Sequence, residues 1–78
     1  MATVEQIKAA RALLGWSQED LANSAGLSLP TVARFETQSK QRVSDEARLK
    51  MEAALEAAGI VFTNGKEPGV KLRKRGRE

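Results

Sequence analysis

Two stretches that both read as helices, "SQEDLANSAG" and "SLPTVARFE", are joined by only about three residues, with Gly26 in the turn. So short a connection forces the helices to cross at close range, which sets three requirements. The turn needs a residue at ease with positive φ, the crossing point needs a small side chain, and apolar residues must pin both helices to the rest of the body. Gly26 meets the first, Ala22 the second, and Leu21, Ala25, Leu27, Val32 and Phe35 the third. The remaining positions of the second helix, Leu29, Pro30, Thr31, Ala33 and Arg34, are left to face outward. Pro30 looks like an obstacle to that helix. With Ser28 as N-cap, however, Leu29 and Pro30 are its first two residues, whose N–H groups have no intrahelical partner in any case. Proline gives up nothing there and pre-sets φ.

The flanking chain carries the same punctuation. "TVEQIKAARALLG" predicts a first helix capped by Thr3, with Gln6 completing a capping box and Gly15 stopping it. Val4, Ile7, Ala10, Leu13 and Leu14 recur at helical spacing and form its apolar stripe, and Trp16 seals the junction to the next helix. Ser17 caps that second helix, with Glu19 and Asp20 in its first turn. After a polar loop, "TQSKQRV", a fourth helix is predicted over "SDEARLKMEAALEAAG", from Ser44 to a stop at Gly59. Ala47, Met51, Ala54, Leu55 and Ala58 share one side of it, while Leu49 falls opposite, as an isolated leucine or as a partner contact.

Beyond Gly59 the character changes. Residues 60–63 and 70–73 read as short strands joined by a six-residue loop. Such a hairpin is marginal alone in water, so it must lean on the helical body or on the hairpin of a second subunit. The chain is thus expected to be all-α, with a compact helical domain over 1–59, a β-hairpin or strand extension over 60–73 and a basic tail over 74–78. The hairpin is a candidate dimerisation element.

Composition narrows the function. The chain has neither Cys nor His, which removes thiolate sites, the commonest metal ligand and the usual general base near neutral pH. No paired carboxylates or metal-loop spacing stand in for them, so neither an enzyme nor a cofactor is expected. No apolar run approaches the roughly 18 residues of a membrane span, and no signal-peptide core follows Met1, so a cytoplasmic location is expected. Residues 1–65 hold seven Lys and Arg against eight Asp and Glu, whereas residues 66–78 hold six against two. The net positive charge therefore sits in the last thirteen residues, in the manner of arms that meet phosphate backbones.

The segment "ARALLGWSQEDLANSAGLSLPTVARFE" strongly resembles the phage-repressor, Cro-like helix-turn-helix family, also called XRE-type transcriptional regulators. The resemblance runs over about residues 4–59 with a specific core at residues 18–37, and the pattern S-Q-E-x-L-A-x-x-A-G-x-S-x-x-T-V-x-R-x-E spans residues 17–36. It implies a four- to five-helix lambda-repressor-like DNA-binding domain whose third helix enters the major groove. By the same resemblance Gln18 reaches a backbone phosphate and buttresses that helix, and Ser28, Leu29, Pro30, Thr31 and Arg34 face the groove. Arg34 suits guanine O6 and N7, Ser28 and Thr31 suit phosphates, and Lys40 and Arg42 follow in a loop that touches the backbone. Arg11 and Glu36 match a structural ion pair between the first helix and the end of the third.

Three positions depart from the family pattern. Leu29-Pro30 replaces polar readers, which points to contact with a thymine methyl or to reading of groove shape. Thr37 stands where glycine is usual, and Arg48 where an apolar residue is usual. The implied function is a sequence-specific transcriptional regulator, a repressor or autoregulator, acting on double-stranded DNA as a homodimer in the bacterial or phage nucleoid. Leu49, Ile60, Val61, Phe62, Val70 and Leu72 are the dimer candidates. Other readings are an antitoxin or anti-activator working through a protein partner, and an architectural factor for excision of a mobile element.

Overall fold

The computed structural model describes residues 2–37, 44–63 and 67–73. Within them four helices are followed by a two-stranded antiparallel sheet: α1 (Val4–Leu14), α2 (Gln18–Ala25), α3 (Leu29–Thr37), α4 (Asp45–Ala57), β1 (Ile60–Thr63) and β2 (Gly69–Leu72). The fold is therefore the mostly helical domain with a C-terminal hairpin that the sequence predicts.

Local chemistry accounts for the helix ends. At α1, Thr3 Oγ1 accepts from the Gln6 N–H at 3.1 Å while Gln6 Oε1 accepts from the Thr3 N–H at 2.8 Å. Ser17 and Asp20 close a second capping box at α2, at 3.0 and 2.9 Å, so Asp20 does more than place charge at the dipole. Both helices end alike. Gly15 and Gly26 adopt φ of 70°, and the next residues, Trp16 and Leu27, donate back to Arg11 and Ala22 carbonyls, each at 2.9 Å. This is the Schellman ending, with an apolar side chain just past the glycine folding onto the core. Ser28 Oγ accepts from the Thr31 N–H at 3.3 Å, and Pro30 lies in an unbroken first turn of α3.

At α4 the stop falls one position earlier than the sequence suggests. Ala58 is the C-cap with φ of −87°, and Gly59 follows with φ of 108°. Gly59 is needed for the turn into β1, since its φ of 108° is a backbone conformation that residues with a Cβ rarely adopt. Pairing in the hairpin sets Ile60 against Leu72, Val61 against Lys71, Phe62 against Val70 and Thr63 against Gly69. The second strand thus begins at Gly69, one residue before the expected 70–73.

The core draws on all four helices and the first strand. Ile7 and Ala10 of α1, Leu21 and Ala22 of α2, Val32 and Phe35 of α3, Met51 and Leu55 of α4, and Ile60 of β1 form one cluster. Leu13 departs from the predicted stripe and stays 47% exposed. At about 100° per residue it lies roughly 60° beyond Ala10, the edge of the apolar arc, and more than a turn along α1 from Gln6, which the hairpin covers at a similar angle.

The hairpin leans on its own helical body. Ile60 is buried, and Phe62 and Val70 pack against the core cluster. Buried Gln6 supplies the clasp: its Nε2 donates to the Thr63 and Gly69 carbonyls, each at 2.9 Å. One amide therefore closes a helix cap with its oxygen and holds both strands with its nitrogen, leaving no polar atom unpaired. Replacing it strands two carbonyls. Gln6→Leu is expected to lose about 2 kcal/mol in urea denaturation. Hydrogen exchange of the amides in 60–63 should accelerate beyond the global change.

Candidate nucleic-acid interface

The short turn between α2 and α3 leaves α3 with one face on the core and the opposite face in solvent. Val32, Phe35 and Glu36 are buried, while Pro30, Arg34 and Thr37 form an exposed ridge at helical spacing. Leu29 stands at the tip of the helix, 44% exposed. Thr31 is half-buried at the ridge's edge, its Oγ1 2.8 Å from Ser28 Oγ. Among the described residues Arg34 makes no salt bridge, so its five guanidinium donors point outward without a carboxylate partner.

Beneath this face lies a polar anchor. The Glu36 side chain is only 2% exposed, and its two oxygens accept from Arg11 Nε at 2.9 Å and Arg11 Nη2 at 2.8 Å. Gln18 Nε2 donates to the same carboxylate at 3.0 Å, and Arg11 Nη1 donates to the Trp16 carbonyl at 2.8 Å. A forked guanidinium and an amide thus converge on one carboxylate, in the geometry that makes such bonds strong and directional. The end of α3 is tied at once to α1, to the α1–α2 junction and to the first residue of α2. Gln18 is accordingly held in place at the start of α2, beside α3.

A second support was not legible in the sequence. The Arg48 guanidinium lies over the Phe35 ring, its central carbon 5.3 Å from the ring centroid. The guanidinium thus covers the aromatic from a position where the family resemblance implies an apolar residue. Meanwhile α4 still packs through Ala47, Met51 and Leu55. Arg48 Nε is buried without a hydrogen-bond partner among the described residues. Thr37, three residues beyond Arg34 and seven beyond Pro30, shares their exposed ridge. Its hydroxyl donates to the Ala33 carbonyl at 2.7 Å.

Lys40, Arg42 and the tail over 74–78 lie outside the described residues. Of the six dimer candidates, Ile60 is 2% exposed and sits in the chain's own core. Phe62 and Val70 are turned onto the body, Val61 is half-buried, and Leu49 and Leu72 are exposed. Among the described residues no three potential metal ligands of the His, Cys, Asp or Glu type come together. Nor is any helix there long and apolar enough to cross a membrane.

Two helices joined by a three-residue turn, the second presenting an exposed ridge that carries Arg34, define a helix-turn-helix unit. A helix-turn-helix family model matches residues 7–57, and the chain belongs to that family, in its XRE, Cro-like form. The match runs from the first turn of α1 to the end of α4 and stops short of the hairpin. The protein is thus a DNA-binding regulator of a family whose role is not enzymatic. Among curated proteins none matches the sequence.

The anchor can be tested apart from DNA. Arg11→Met leaves the Glu36 carboxylate buried without its counter-charge and is expected to destabilise by about 2–4 kcal/mol in denaturant titrations. Arg11→Met combined with Glu36→Leu should recover a large part of that loss, because no buried charge is then stranded.

Proposed function

We propose that the protein is a sequence-specific transcriptional regulator, a repressor or autoregulator, that binds a two-fold symmetric operator as a homodimer through the major groove. The observation that carries this reading is Arg34, exposed on a helix whose end is fixed by the buried Glu36 anchor. A guanidinium held on a rigid ridge can make the bidentate contact to guanine that discriminates base pairs. Gln18, Ser28 and Thr31 contact phosphates around it, and Lys40 and Arg42 extend that contact along the backbone. The basic residues of 66–78 add sequence-independent attraction.

A single module of this size covers little DNA, so useful affinity calls for two copies with half-sites about 34 Å apart, one helical turn. The hairpin supplies the dimer surface in this reading, through Leu72, which lies on the face of Ile60 but is left 45% exposed at the open end of the hairpin; Val61 lies on the other face, and Leu49 on α4 is the competing surface. Regulation follows from protein concentration and operator arrangement, at the nucleoid of a bacterial or phage-infected cell.

Arg34→Ala should lose about 1–3 kcal/mol on the operator and relax preference at one base pair per half-site. Fluorescence anisotropy on operator and scrambled duplexes measures both quantities. If the variant treats the two duplexes as the wild type does, Arg34 is not the reader. Leu72→Glu should shift sedimentation toward monomer and weaken operator binding, whereas Leu49→Glu should leave the dimer intact. The reverse pattern would move the interface to α4.

A further inference from the structure

The side chains of α3 restrict what it can read in a groove, and the inference below rests on the DNA-binding reading above. The hydroxyls near its exposed face are partly engaged within the protein: Ser28 and Thr31 bond each other at 2.8 Å, which leaves one of their two O–H donors for a phosphate, and Thr37 donates to Ala33 at 2.7 Å. Pro30 has neither an N–H nor a polar side chain. Arg34 is therefore the strong hydrogen-bonding reader on the described ridge, and next to it the helix begins with two apolar residues. One exposed leucine on a protein surface is ordinary. Leu29 differs in its setting, because it is 44% exposed in the first turn of the helix that carries Arg34, flanked by Pro30.

The major groove offers one apolar feature to such a side chain, the C5-methyl group of thymine. An enzymatically methylated cytosine presents the same methyl at the same ring position. We propose that Leu29, flanked by Pro30, recognises the 5-methyl group of a pyrimidine in the same half-site as the guanine read by Arg34. Thymine and 5-methylcytosine are accepted at that position, and uracil and cytosine are disfavoured. The operator then carries a signal that cytosine methylation can change: a half-site with cytosine at this position gains affinity on methylation.

The test begins with selection of binding duplexes from a random pool by the full-length protein. Each conserved thymine of the enriched half-site is then replaced in turn by uracil, by cytosine and by 5-methylcytosine. At one position per half-site, uracil should weaken binding by about fourfold, the size of one buried methyl group. At that position 5-methylcytosine should bind correspondingly better than cytosine. In Leu29→Ala, both methyl effects should vanish while the guanine preference and the salt dependence stay as in wild type. An unchanged melting curve would show that this exposed substitution leaves the fold intact. Uracil equivalent to thymine at every position overturns the proposal, as does a methyl effect that persists in Leu29→Ala. In both cases DNA binding itself stands. A pool from which nothing is enriched overturns the DNA-binding reading, and this proposal with it.

Discussion

The Glu36 carboxylate is the point to which the geometry of the domain is referred. It is buried at the end of α3 and receives two bonds from Arg11 and one from Gln18. Val32 and Phe35 hold α3 to the core by contacts without direction, which allow a helix to slide or roll by a fraction of an ångström. Hydrogen bonds to an ionised group do not allow that freedom. Burying the charge is costly, and an apolar replacement could leave the protein no less stable. What the anchor adds is position: the helix that must meet base edges is referenced to α1 and α2 together. The neighbouring Phe35 is covered by the Arg48 guanidinium, so adjacent residues near the end of α3 each meet an arginine.

A domain this small buries a limited core, and the hairpin enlarges it. Ile60 enters the cluster directly, and Gln6 ties both strands to the first turn of α1. Gln6 also links two scales, since the oxygen that completes a local cap and the nitrogen that closes a contact more than fifty residues away belong to one amide. The hairpin's inner side is thereby committed to its own chain except at Leu72, which shares the face of Ile60 but stays 45% exposed. Val61 and Leu72 remain the apolar groups with which it can meet another copy.

The interface on α3 divides its tasks unevenly. Charge and hydrogen-bonding power are concentrated in Arg34, the hydroxyls are partly satisfied within the helix, and the first turn is apolar. Pro30 is central to that division. It starts the helix cleanly because its position needs no N–H, and for the same reason it has nothing polar to offer the groove.

Where helices begin and end was legible in the sequence, because capping is local chemistry. Thr3, Ser17, Ser28 and Ser44 with Gly15 and Gly26 mark their boundaries within a few residues of themselves. The short turn at Gly26 was enough to indicate how α2 and α3 cross, and the pattern around it the family. Pairing of the two strands could also be read, from β-branched runs set between turn residues. Only the tertiary structure decided that the hairpin folds back on α1 and α4, that Leu13 lies outside the core and Ile60 inside it, and that Arg48 covers Phe35. It alone showed Gln18 sharing the carboxylate that Arg11 holds. Those outcomes depend on which surfaces meet across long stretches of chain, and periodicity reports only which side of an element is apolar, not what comes to lie against it.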